Sequence, residues 1–148
     1  MKKFLILILL TGLFYACKKD NYGSKPILTF KGYSTSALTT ATTNLDIILN
    51  VKDGDGDIED TIAWERHYYI PPATVPVFQV WKMPNIGQHE GHSVDAEVSL
   101  HLGTSDFRGW VEGTGTRPDS IWFRVFIVDK AGHHSDTIIT PKLPIIKQ

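Results

Sequence analysis

The run Ser120-Ile121-Trp122-Phe123-Arg124-Val125-Phe126-Ile127-Val128 separates its side chains into two sets. Ile121, Phe123, Val125 and Ile127 form one set, and Trp122, Arg124, Phe126 and Val128 form the other. Successive side chains of an extended chain point to opposite faces, so this spacing predicts a strand buried on one face and nearly buried on the other. Asp129-Lys130-Ala131-Gly132 follows with the chemistry of a turn.

The same period recurs upstream. Leu45, Ile47, Leu49 and Val51 alternate with Asp46, Asn50 and Lys52, and only Ile48 interrupts the polar side. Ala96, Val98, Leu100 and Leu102 alternate with Glu97, Ser99 and His101. Weaker runs occupy 26–33, 60–70, 77–83 and 134–140, with a short extra one at 107–112. Turn residues separate them at Asp53-Gly54-Asp55-Gly56, Pro71-Pro72, Asn85-Ile86-Gly87, Gly113-Thr114-Gly115 and Ala131-Gly132. No window has the periodicity and caps of a helix. About seven short strands with turns between them predict an all-β fold, an antiparallel Ig-like β-sandwich. Its strands are A (26–33), B (44–52), C (60–70), D (77–83), E (96–102), F (120–129) and G (134–140).

Composition agrees with one folded domain. The chain has 148 residues, with 15 Lys+Arg against 16 Asp+Glu and a formal charge of -1. That balance excludes a strongly basic nucleic-acid binder and an acidic solvating tail. Hydrophobic residues at 42% and aromatics at 11% are too many for a disordered chain. A single cysteine excludes an intramolecular disulfide framework and a Cys-rich zinc module.

That cysteine has a telling position. Lys2 and Lys3 precede an apolar run from Phe4 to Phe14, followed by Ala16 and Cys17. The run is shorter than the roughly 20 residues a bilayer span needs and has the layout of a secretory signal peptide. Phe14-Tyr15-Ala16-Cys17 resembles the lipobox of bacterial lipoproteins, with Phe14 where Leu is usual and a bulky Tyr15. The resemblance implies a signal peptide over 1–16, a lipidated Cys17 with a polar tether over 17–25, and the sandwich over 26–148. Several acyl chains at about 0.8 kcal/mol per buried methylene hold a protein durably on a membrane. The start Cys17-Lys18-Lys19-Asp20 resembles lipoproteins of the Bacteroidetes. It implies an outer-membrane protein on the periplasmic or the cell-surface face. Asp60-Thr61-Ile62, Asp119-Ser120-Ile121 and Asp136-Thr137-Ile138 resemble the protein O-glycosylation pattern of that phylum, a pattern that strand starts rich in Asp and Thr also generate.

A second resemblance is local. Val128-Asp129-Lys130-Ala131-Gly132-His133-His134-Ser135 resembles the F–G hairpin of bacterial Ig-like and fibronectin-III-like domains, with His133 in place of the usual Asn. It implies a fold and carries no function.

Asp53-Gly54-Asp55-Gly56-Asp57-Ile58-Glu59-Asp60 is the stretch richest in chemistry. Alternating carboxylates separated by glycines can aim several oxygens at one centre, and calcium takes about six to eight oxygens in irregular geometry. An EF-hand is excluded by spacing, because Ile58 would fall at the sixth position, where Gly is needed, and Trp64 at the twelfth, where Glu is needed. In an Ig-like sandwich the B–C, D–E and F–G loops lie at one end. That end would gather Asp53, Asp55, Asp57 and Asp129 around a structural calcium ion. The same residues also read as a solvated turn, because Asp-Gly is a common hairpin signal that needs no metal.

His89, Glu90, His92, His133 and His134 would fall at the same end. Imidazoles with carboxylates suit zinc or copper, and they equally suit a polar surface. Trp64, Trp81, Trp110 and Trp122 read as core packing or as a sugar platform, with Trp110 best placed for exposure. Catalytic motifs are missing: there is no G-x-S-x-G, H-E-x-x-H or phosphate loop. Gly91-His92-Ser93-Val94-Asp95 sets His, Ser and Asp side by side, but triads assemble in space rather than from neighbours. The chain therefore reads as a non-catalytic cell-envelope lipoprotein, a binding or interaction module with a structural calcium ion. Its partners would be the membrane, through the lipid, and a protein or glycan, with no nucleic acid. The alternatives are an accessory glycan-binding lipoprotein of a polysaccharide-uptake system and an envelope zinc- or copper-binding protein.

Overall fold

A computed structural model of the chain describes residues 22–68, 76–83, 91–112 and 116–147. Cys17 and the segment before it, the turns at Pro71-Pro72, Asn85-Ile86-Gly87 and Gly113-Thr114-Gly115, and His89 and Glu90 lie outside the described residues. Eight strands follow in order: β1 Ile27–Tyr33, β2 Asn44–Asp53, β3 Thr61–Tyr68, β4 Gln79–Lys82, β5 Val94–Gly103, β6 Ser120–Val128, β7 Ile138–Ile139 and β8 Leu143–Pro144. They make two antiparallel sheets, one ordered β1-β2-β5 and one ordered β4-β3-β6-β7, with β8 also on β6.

Alternation decides which faces meet. Leu45, Ile47, Leu49 and Val51 of β2 are buried, and β5 sets Leu102, Leu100 and Val98 opposite the first three. Ile121, Phe123, Val125 and Ile127 of β6 and Ile62 and Trp64 of β3 supply the facing layer. Burying side chains of this size contributes about 1.5–3 kcal/mol each, so these rows hold the two sheets together. The Trp64 ring lies 6.1 Å from Phe123.

Three expectations are corrected. The run 77–83 pairs with β3, Thr61 opposite Lys82 and Ala63 opposite Val80. It therefore joins the sheet of runs C, F and G and not the sheet that holds run E. Consecutive antiparallel strands pair readily as neighbours, and alternation within a run is silent about which sheet it joins. The G run is reduced to an isolated bridge at His134 and the two-residue β7, and a further short strand, β8, pairs with β6 beyond its end. Side chains replace backbone partners there: the Ile127 N–H donates to Ser135 Oγ at 3.0 Å, and the Phe123 N–H donates to Thr140 Oγ1 at 2.8 Å. The third correction concerns 107–112, which is not a strand. A 3-10 turn, Thr104–Asp106, leads into one helical turn, α1 Arg108–Val111. The Gly103 N–H donates to Asp106 Oδ2 at 2.9 Å, and Phe107 and Val111 are buried in the core.

At one end the β2–β3 loop meets the β6–β7 loop, the segment before β5 and the segment before β1. Lys130 N–H donates to the Asp57 carbonyl at 2.9 Å, Gly91 N–H to the Asp55 carbonyl at 2.6 Å, and Gly54 N–H to the Gly23 carbonyl at 3.0 Å.

Candidate metal centre

Asp53 continues the inward row of β2 by one step beyond Val51, so its carboxylate enters the end of the core, where its exposure is 0%. Its Oδ2 accepts the N–H of Gly56 at 2.7 Å and of Asp57 at 3.3 Å, folding the chain back over it. Gly56 has φ 74, the left-handed region in which a side chain is unfavourable. Two residues later Ile58 is fully buried, which pins the far side of the loop. Asp57 Oδ2 accepts the Ala131 N–H at 3.1 Å.

These constraints bring three carboxylates together. One oxygen from each of Asp53, Asp55 and Asp57 lies within 4.8 Å of the others. Two oxygens on opposite sides of one calcium ion, bound at about 2.3–2.6 Å, are separated by a similar distance. The Oδ1 atoms of Asp53, Asp55 and Asp57 are all buried and have no hydrogen-bond partner among the described residues. Buried polar atoms are normally paired, and each orphan costs about 1–3 kcal/mol. A hard cation with oxygen ligands would satisfy all three at once.

The electrostatics agree. Burial first, and the Asp55 carboxylate second, push the Asp53 carboxyl up to about 6, against the opposing pull of the Gly56 and Asp57 amides. Asp57 is raised as well, by burial and then by the charges of Asp129 and Asp55. The amides of Gly56, Asp57 and Ala131 thus offset only part of what burial and mutual repulsion cost the ionised cluster.

Asp129 is buried beside this cluster but outside the trio. Its Oδ1 accepts the His133 N–H at 2.8 Å and its Oδ2 bonds His133 Nδ1 at 3.0 Å, an arrangement that closes its own turn. The fold thus unites Asp53, Asp55 and Asp57 and leaves Asp129 as a neighbouring charge.

The described histidines disperse. His92 is exposed, His133 is engaged by Asp129, and His134 stacks on Phe126 at 5.6 Å. His101 bonds Asp46 at 2.6 Å, and His67 bonds Glu65 at 2.9 Å. Among the described residues the grouping suited to an ion is entirely carboxylate. Asp95, the third member of the Gly91–Asp95 set, accepts from Asn50 and pairs with Lys52.

The tryptophans also take separate places. Trp64 is in the core. Trp81, at 40% exposure, stands 5.2 Å from it at the sheet edge. Trp122 lies between His67, stacked at 5.6 Å, and the Lys142 ammonium at 5.0 Å. Trp110 is half-buried against the core, beneath the Arg66 guanidinium at 5.0 Å and beside Tyr68 at 5.4 Å. Its expected exposure is not found, because α1 turns that segment inward.

Sequence reasoning missed a charged network on the outer face of the second sheet. Glu65, only 4% exposed, accepts from Arg124 Nη1 at 2.6 Å and bonds His67. Period two places Glu65 and His67 on one face. Arg124 joins them only through the β3–β6 register, where it pairs with Glu65.

Among the described residues no helix is long and apolar enough to cross a membrane. No protein family, curated protein or solved structure matches the chain.

Proposed function

We propose that this chain is a non-catalytic envelope lipoprotein whose sandwich serves as a binding or interaction module and holds one structural calcium ion between Asp53, Asp55 and Asp57. The observation that carries the ion is the trio of buried Oδ1 atoms without hydrogen-bond partners. Water and backbone oxygens would complete the calcium shell, with the weak affinity of extracellular modules, about 10⁻⁴–10⁻³ M. The ion's role is to offset carboxylate repulsion at the end where four segments meet. The anchor rests on Lys2-Lys3, the apolar run and Cys17, and its Bacteroidetes character on Cys17-Lys18-Lys19-Asp20.

Thermal unfolding of the full chain in detergent tests the ion. Millimolar calcium raises the midpoint relative to chelator, by the linkage expected of a ligand that binds only the folded state. Asp55→Asn abolishes the rise. A rise with micromolar zinc and none with calcium would transfer the site to a nitrogen-ligand metal. Incorporation of labelled palmitate, lost in Cys17→Ser, tests the anchor; equal labelling of both proteins would refute it.

A further inference from the structure

We infer that the cation works a latch: it fixes the segment 22–25, which leads from the anchor into β1, against the end of the sandwich. This inference rests on the calcium reading and adds what the ion controls.

Gly54 lies between two members of the carboxylate trio and is also where the segment docks. Its N–H donates to the Gly23 carbonyl at 3.0 Å. A Cβ at position 54 would stand 1.9 Å from the Tyr22 carbonyl oxygen, 2.7 Å from the Tyr22 carbonyl carbon and 2.8 Å from the Gly23 oxygen. No side chain fits there while the segment is in place. Among the described residues the positive-φ glycines are Gly56, Gly91 and Gly132, so glycine at 54 answers close approach and not a left-handed backbone.

The remaining contacts tie the segment to the end of β2 and to the β6–β7 loop. Lys52 Nζ lies 5.1 Å from the centre of the Tyr22 ring and 3.2 Å from its hydroxyl. Lys25 reaches Asp136 at 2.6 Å, and both side chains are more than half exposed. Solvent-exposed pairs of this kind hold weakly on their own. The seat at Gly54 is therefore the discriminating contact, and it exists only while Asp53 and Asp55 are held close. Without a cation, repulsion separates the carboxylates and moves the residue between them. With a cation the loop closes and the seat re-forms. The result is a sandwich fixed beside its anchor in calcium and swinging on a longer tether without it.

A nitroxide at position 24 reads the latch directly. Ser24 is exposed and adjoins the seat. The full chain carrying Cys17→Ser and Ser24→Cys is labelled and held in detergent. Calcium chloride at millimolar concentration is expected to immobilise the label at least threefold relative to chelator. In Gly54→Ala the label stays mobile in both conditions. Equal mobility with and without calcium, alongside a normal calcium-dependent midpoint, would overturn the latch and leave the ion site standing. Absence of any midpoint shift would overturn both. The comparison with and without calcium stands by itself if Gly54→Ala fails to fold.

Discussion

Asp57 accepts the backbone N–H of Ala131 on its Oδ2 at 3.1 Å, and its carbonyl accepts the N–H of Lys130 at 2.9 Å. One aspartate thereby clamps the β2–β3 loop to the β6–β7 loop, across 74 positions of sequence. Its other carboxylate oxygen is buried beside Asp53 and Asp55 without a partner. The clamp and the candidate ion site are thus one structure, and the predictions around it concern the balance between hydrogen bonds that close the loop and charges that open it.

Asp55→Asn separates those two terms. In chelator the variant is expected to be more stable than the parent by about 1 kcal/mol, because one of three crowded charges is gone. In calcium the order reverses, because a carboxylate ligand has been lost. Urea unfolding in both conditions reads the crossing, and a variant weaker than the parent in chelator would refute the account of repulsion.

The pH dependence without calcium follows from Asp53. Its folded carboxyl is pushed up to about 6 from an ordinary value of 3.8, so between these values the folded state binds more protons than the unfolded state. Stability therefore falls as pH rises through this window, and the penalty is complete above about pH 6. Asp57, also raised, acts in the same direction. Moving from pH 7 to pH 5 in chelator is expected to stabilise the protein by roughly 1–2 kcal/mol. Saturating calcium removes this gain, since the ion requires the ionised form. Unfolding midpoints between pH 4.5 and 7.5, with and without calcium, check it.

Arg124→Ala leaves the buried carboxylate of Glu65 with His67 as its remaining partner among those identified. Unpairing a charged hydrogen bond of this kind costs about 1.5–3 kcal/mol, and the partial exposure of Arg124 favours the lower end. Adding Glu65→Gln is expected to recover part of the loss, because a neutral amide is cheaper to bury. A double-mutant cycle by urea unfolding isolates the pair.

Tyr33 joins the two sheets. Its hydroxyl lies 2.6 Å from Thr140 Oγ1 and 2.7 Å from the Pro141 carbonyl oxygen. Burial pushes its ionisation up to about 12, so it remains a hydrogen-bond donor through the whole neutral range. Tyr33→Phe is expected to cost about 1 kcal/mol, with no dependence on pH between 5 and 9. Thermal unfolding at both limits measures this.

Legibility in the sequence followed the range of the forces involved. Leu45, Ile47, Leu49 and Val51 are legible as a core row because burial acts on every second residue of one strand, whatever that strand pairs with. Asp53 falls on the same row and was legible as a candidate, since it lies two positions beyond Val51. The broken G strand was not legible. Ser135 and Thr140 look like ordinary strand residues until their hydroxyls are set against the amides of Ile127 and Phe123.

The sequence by itself therefore determined the alternating rows of β2, β5 and β6, the turns at Asp53–Gly56 and Ala131–Gly132 and the supply of carboxylates, because alternation and turn chemistry act over a few residues. Only the tertiary structure decided that 77–83 joins β3, that Asp129 turns to His133, and that Gly23, Gly91 and Lys130 converge on the acidic loop. It also decided that three carboxylate oxygens lose water together without gaining hydrogen bonds. Sheet membership depends on which distant backbones exchange hydrogen bonds, and desolvation depends on everything packed around a group. Neither quantity resides in any short stretch of the chain.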